Sequence, residues 1–195
     1  QFWDIYATQL LLIFSLRPSG YVLLPGTIAA LIVGYFLLMH KAMDPFATAA
    51  AFSVGATAAA SVLSVGTFLS GAVVGTSSDL PWALSHYGQT LHPVGLYRAL
   101  AFAILAILLW MTRRPSRPLR TLWLAGFGYS LVRLFTDGFV DDAEMIGAFR
   151  TSQVIAFVAA LLFSLLLAQE ENQAAEKPRE EDLAVHAESK SLNHQ

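Results

Sequence analysis

Two groups of residues in this chain carry functional groups at spacings that could do chemistry. Tyr129, Arg133 and Asp137 follow one another at four-residue steps, with Gly126 a turn earlier, so on a helix they form one column. Two readings of Arg133 are open. Near the end of an apolar span it could snorkel to the surface or pair with Asp137, or its planar fork could grip a phosphate with the Tyr129 hydroxyl as a second donor. The second group is Asp79-Leu80-Pro81-Trp82, followed by His92-Pro93-Val94-Gly95-Leu96-Tyr97. Pro81 stiffens a turn, Trp82 suits a headgroup layer, and Pro93 suits the first position of a helix, which leaves His92 as its cap or an interface residue. Each is an ordinary interfacial turn by itself, and only their order and spacing set them apart.

The elements that must position these groups are membrane helices. Of 195 residues, 55% are hydrophobic and 13% charged, too little polar surface to cover a water-soluble globule. A hydrocarbon layer of about 30 Å needs about 20 apolar residues per helix. Five stretches qualify, at 20–39, 46–75, 95–112, 121–138 and 150–168. The expected fold is all-α, a polytopic transmembrane helical bundle over residues 20–168. Residues 1–19 form an interfacial segment, because Asp4 interrupts the apolar run and Arg17-Pro18 closes it. Residues 169–195 are rich in Glu, Lys and Arg with almost no large apolar side chains, and are expected to be a disordered tail. The stretch 46–75 is built from Ala and Gly, which permit close backbone approach, so it is expected to be the central helix. Its glycine-rich end, Gly66 to Gly75, could unwind beside a wet cavity as a substrate-lined wall, or serve tight packing.

Charge sets the orientation. Arg113, Arg114, Arg117 and Arg120 share one short loop, Lys41 falls on the same side, and Asp79, Asp137, Asp141, Asp142 and Glu144 fall opposite. By retention of positive charge on the inner side, the Asp79 and His92 segments face outward and the C-terminus inward. The absence of cysteine excludes disulfides, thiolate ligands and a cysteine nucleophile from the chain. The histidines are too scattered to ligate a metal, with His40 at a helix end and His186 and His194 in the tail. No metal, cofactor, nucleotide or nucleic-acid site is expected. Residue 1 is Gln and no signal-peptide pattern follows it, so either processing or the loss of upstream helices is expected.

On these residues the chain resembles the prolipoprotein diacylglyceryl transferase family, over roughly residues 14–168. The resemblance rests on Asp79 to Trp82, on His92-Pro93 with Leu96-Tyr97 against the family's His-Pro-x-Gln-Leu-Tyr-Glu, and on Tyr129-x3-Arg133-x3-Asp137 against Tyr-x3-Arg-x3-Glu. Thr151-Ser152-Gln153 is similar to the step that opens the family's last helix. It implies transfer of diacylglyceryl from phosphatidylglycerol to the lipobox cysteine of a preprolipoprotein, in a bacterial cytoplasmic membrane. The implied catalytic residues are Arg133, Tyr129 and His92, and the implied headgroup-binding residues are Arg133, Tyr129, Asp137, Asp79, Trp82 and Tyr97.

The departures matter as much. The family's His-Gly-Gly falls on Pro25-Gly26-Thr27, which offers no proton acceptor. Its Gly-Arg-x-Gly-Asn-Phe-x-Asn-Gly-Glu stretch places Ser64 at the arginine, Thr67 and Ser70 at the asparagines and Ala72 at the glutamate, so a phosphate clamp is short of one cation. Gly95 and Arg98 stand where the family has Gln and Glu. His86 and His92 are the histidines left to act as a base. The competing reading is a non-catalytic subunit that keeps the bundle and its lipid site and packs in a larger membrane complex.

Overall fold

The computed structural model describes residues 23–86, 88–141, 144–147 and 149–192, with backbone alone at 23–25, 27, 86 and 177–192. The interfacial segment expected at 1–19 lies outside them. Five helices follow in order: α1 (Leu23–Lys41), α2 (Pro45–Leu69), α3 (Val94–Thr112), α4 (Pro118–Thr136) and α5 (Thr151–Leu192). Two short antiparallel hairpins interrupt them, β1 (Leu84–His86) with β2 (Gln89–Leu91) and β3 (Met145–Ile146) with β4 (Phe149–Arg150). The chain divides into two compact units at Pro45. In the first, α1 ends in His40 and Lys41, and the Lys41 cation suits the negative end of a helix.

The second unit holds the bundle. Among the described residues α2, α3 and Thr151–Glu176 of α5 are long and apolar enough to cross a membrane, and Ile28–Lys41 of α1 is a shorter apolar helix. The architecture is thus the all-α membrane bundle. At the expected span 121–138, α4 buries Thr121, Ser130 and Thr136 and carries Arg133 part-exposed, and it packs against both α3 and α5.

Proline begins α2 and α4 and immediately precedes α3, each time where a missing N–H leaves no bond unmade. Glycine decides which helices meet. A Cβ on Gly126 would lie 2.6 Å from the Phe163 ring of α5, and one on Gly128 would lie 2.4 Å from Leu105 of α3. These two positions let both neighbours close on α4. On α3, a Cβ at Gly95 would lie 2.6 Å from Phe68 Cβ and 2.9 Å from the Ser64 carbonyl of α2. The Ser61 hydroxyl donates to the Ala99 carbonyl across the same contact at 2.7 Å.

The central helix is therefore α4, not the small-residue helix expected to be central. α2 buries one narrow stripe, Ala50, Thr57 and Ser64, while Gly55 and Gly66 have nothing within 4 Å of a would-be Cβ. Small residues permit close approach without compelling it, and approach is fixed where a glycine faces a large side chain such as Phe163. The apolar stretch to residue 75 ends as helix at Leu69, and from Gly71, at φ 65, the backbone is extended.

That extended segment joins the loops at this end of the bundle. Thr76 N–H donates to the Phe139 carbonyl and Asp141 N–H to the Val74 carbonyl, while His92 N–H donates to the Thr76 carbonyl and Ser78 N–H to the Thr90 carbonyl. Residues 74–78 thus run between 89–92 and 139–141. Gly75 sits at the crossing, where a Cβ would fall 2.1 Å from the His92 carbonyl oxygen.

At the other end, α5 does not stop at residue 169 as expected of a disordered tail but continues to Leu192. Glu, Ala, Lys, Arg and Gln are strong helix formers, so a segment lacking core residues still carries helix propensity. Its first polar turn is pinned by ion pairs from Glu170 and Glu171 to Arg117, and from Glu171 to Arg120.

Gly95→Val should destabilise the bundle by about 1–3 kcal/mol through overpacking. Gly55→Ala, in open space on α2, should be neutral or stabilising by up to about 1 kcal/mol. Thermal unfolding in detergent separates the two, and equal effects would contradict the assigned α2–α3 contact.

Candidate functional site

Asp137 closes α4 and is the most buried charged side chain described, with 2% of its side chain exposed. Isolated, a carboxylate there would be prohibitively costly, so its partners define the site. Arg98 Nη2 of α3 reaches one carboxylate oxygen at 2.6 Å, and Arg133 Nε and Nη2 of α4 reach the other at 3.0 and 2.8 Å. Arg98 Nε also donates to the Thr136 hydroxyl at 3.3 Å. Arg150 Nη1, from β4, donates to the backbone carbonyls of Asp137 and Val140. One carboxylate therefore organises two guanidiniums, drawn from α3 and α4, while the backbone beside it takes a third from β4.

The three cations are not equally committed. The Arg98 side chain is 11% exposed and that of Arg133 36% exposed. Arg98, Arg133, Asp137, Val140 and Glu144 line a cavity of about 310 Å³ together with Thr151, Ser152 and Ile155. Two arginines and two carboxylates thus line this cavity, with Asp137 committed to both guanidiniums and Glu144 exposed. Behind it, Gln153 Nε2 donates to the Leu134 carbonyl at 3.0 Å and fixes the start of α5 against the end of α4.

A second cluster is built on the joined loops. Trp82 Nε1 donates to the Tyr97 hydroxyl at 2.8 Å, and His92 Nδ1 lies 3.2 Å from the same oxygen. The Phe139 ring packs on His92 at a 4.9 Å centroid distance and edge-on to Tyr97. His92 lines a separate cavity of about 420 Å³, walled by Phe68, Gly71, Val74, Gly75 and Leu91 among others.

The residues singled out by sequence fall into these two clusters and outside them. Arg133 and Asp137 are together, and Trp82, Tyr97 and His92 are together. Tyr129 belongs to neither: it stacks on Phe102 at 5.0 Å, with 44% exposure, and does not line the cavity of Arg133. Asp79 is exposed in its turn. Ser64, Thr67 and Ser70 return their hydroxyls to the carbonyls of Ala60, Ser64 and Thr67 on their own helix. The His86 side chain lies outside the described atoms. Among the described residues no group of His, Asp and Glu is arranged to hold a metal ion.

Residues 2–169 match the prolipoprotein diacylglyceryl transferase family. The chain belongs to that family. Among curated relatives, the phosphatidylglycerol–prolipoprotein diacylglyceryl transferase of Clostridioides difficile (strain 630) is 27% identical over 82% of this chain and 64% of its own length. The enzyme so named in Finegoldia magna is 27% identical over 85% of this chain and 67% of its own. That of Synechococcus elongatus is 34% identical over 48% and 38% respectively. The chain thus spans 64% and 67% of the length of the first two. No solved structure matches it significantly.

Sequence reasoning missed two members of the Asp137 cluster, Arg98 and Arg150. Arg98 occupies the family's glutamate position and so read as a loss. The signal was present, because an arginine one turn inside an apolar helix needs a counter-ion as much as Arg133 does. Asp137 is that counter-ion.

Asp137→Leu, which strands Arg98 without a counter-ion, should cost about 3–5 kcal/mol of stability. Adding Arg98→Leu should recover most of it, because a buried pair removed whole is far cheaper than one broken. Unfolding midpoints of the single and double variants check this, and additive losses would contradict the pairing.

Proposed function

We propose that the chain transfers a diacylglyceryl group from phosphatidylglycerol to the lipobox cysteine of a preprolipoprotein. The observation that carries this reading is the arginine-lined cavity at the end of α4, where Arg133 is a third exposed while Asp137, itself bonded to Arg98, holds it from behind. The cavity suits a phosphodiester: Arg133 presents nitrogens in a planar fork, and Arg98 adds positive potential from a side chain shielded from water. The joined loops lie on the outer side and the arginine loop and C-terminus on the inner side, so the site faces outer-leaflet lipid.

In the reaction the peptide's sulfur attacks the glyceryl carbon of the diacylglyceryl group. A carbon–sulfur bond forms, the carbon–oxygen bond to phosphate breaks, and its electron pair leaves with glycerol phosphate. Charge grows on the phosphate oxygens in the transition state, and Arg133 and Arg98 are placed to neutralise it without reorganising. The thiol proton must go to a base, and His92 is the candidate. With Nδ1–H donating to the Tyr97 oxygen, which also accepts from Trp82, Nε2 carries a free lone pair for the proton. Trp82 and Tyr97 are then positioning residues that fix the tautomer, and Asp137 positions both guanidiniums rather than touching the headgroup. Tyr129, stacked on Phe102, and Asp79 are both exposed and lie outside the two clusters, so their part in headgroup binding would be peripheral.

Purified chain, phosphatidylglycerol vesicles and a lipobox-cysteine peptide test this by mass spectrometry of the peptide. A diacylglyceryl mass gain is expected, slowed about 10²–10³-fold by Arg133→Ala and comparably by Arg98→Ala. His92→Gln should lower the rate about 10²-fold or more with little change in lipid binding. No mass gain from folded protein would exclude the transferase reading and leave a lipid-binding subunit.

A further inference from the structure

The opposite end of the bundle carries a cavity that the transfer reaction does not use. It measures about 440 Å³, within the usual range of about 300–1,000 Å³ for small-molecule sites. Ala47, Ala51, Val54, Gly55 and Ala58 of α2 form one wall, and Trp110 of α3 faces them. The α2 residues recur on one face over eleven positions, an apolar track of about 16 Å running from the interface into the membrane. At the mouth stand Arg113 and Arg114, and no carboxylate lines the cavity.

Of the four arginines in this loop region, two are already neutralised. Arg117 and Arg120 are paired with Glu170 and Glu171. Among the described residues neither Arg113 nor Arg114 meets a carboxylate, and Arg113 is held over the Trp110 ring at 3.8 Å from its centroid. Uncompensated charge is thus concentrated where the apolar track begins.

We infer that this cavity binds an anionic phospholipid of the leaflet on the arginine side, with its phosphate between Arg113 and Arg114 and an acyl chain along Ala47 to Ala58. The occupant follows from charge and shape together. The ligand must be anionic at the mouth and hydrocarbon below it, at the depth where headgroups meet acyl chains. A free phosphate satisfies the arginines and leaves the track empty. A zwitterionic lipid fills the track but brings a cation to the mouth. Trp110 fixes Arg113 in place, so less side-chain freedom is lost when the phosphate arrives. Such a lipid would bridge α2 to the α3–α4 turn, where α2 has few other contacts, and would stabilise the bundle independently of catalysis.

The test is native mass spectrometry of the full chain released from phosphatidylcholine nanodiscs doped with phosphatidylglycerol, in an Arg133→Gln background that weakens the outer site. One retained phosphatidylglycerol is expected, with phosphatidylcholine not retained. Arg113→Gln with Arg114→Gln should weaken retention about 30-fold, the sum of about 1 kcal/mol for each interfacial arginine. Gly55→Leu, which enters open space and keeps both arginines, should also displace the lipid while leaving the unfolding temperature of lipid-free protein unchanged or raised. Retention unaffected by the arginine changes would overturn the proposal, as would equal retention of phosphatidylcholine. Loss with the arginines but not with Gly55→Leu would reduce the site to diffuse surface attraction, and arginine-dependent binding of glycerol 3-phosphate alone would reassign it to a soluble anion.

Discussion

The Asp137 carboxylate is the constraint on which the outer half of the molecule depends. Buried in an apolar bundle, it exists only because Arg98 and Arg133 reach it from two helices, and each of them in turn is tolerable in the membrane only because Asp137 is there. The same residue ends α4, and its carbonyl receives Arg150 from the hairpin beyond. Three effects therefore meet at Asp137: its ion pairs register α3 against α4 and leave Arg133 facing open space with its fork already oriented, and its backbone carbonyl ties the β3–β4 hairpin to the helix end.

Around that point the architecture follows from close contacts of backbone. Gly126 and Gly128 admit Phe163 and Leu105, which places α4 between α3 and α5 and brings Asp137 within reach of Arg98. Gly75 allows residues 74–78 to lie against the His92 carbonyl, so the loop carrying His92 is bonded to the loop that follows Asp137. Two cavities, one lined by guanidiniums and one by a histidine, are thereby held by the same small layer of backbone hydrogen bonds. The inner end follows a different logic, in which ion pairs to Glu170 and Glu171 use up half the arginine loop and leave Arg113 and Arg114 at an apolar groove.

The membrane class was legible in composition, and the start of α3 was legible in Pro93. The i, i+4 pairing of Arg133 with Asp137 could be read as one of two possibilities, because a four-residue spacing is local information. The partnership of Arg98 with Asp137 was not legible, since it joins residues 39 apart through a helix packing that no spacing encodes. The centre of the bundle was misplaced for a related reason. Counting small residues pointed to α2, whereas what fixes a contact is a glycine opposite a large side chain, and only the folded chain pairs Gly126 with Phe163. Beyond residue 169 α5 continues because low hydrophobicity removes the drive to pack but leaves helix propensity intact.

The most direct test of the central claim is an experimental structure of the full chain with phosphatidylglycerol. The account places the phosphate oxygens about 2.7–2.9 Å from the guanidinium nitrogens of Arg133, with Arg98 still bonded to Asp137 behind it. A phosphate bound at the outer end away from Arg98 and Arg133, with both guanidiniums committed to Asp137 alone, would contradict it and reduce the cluster to a structural ion pair.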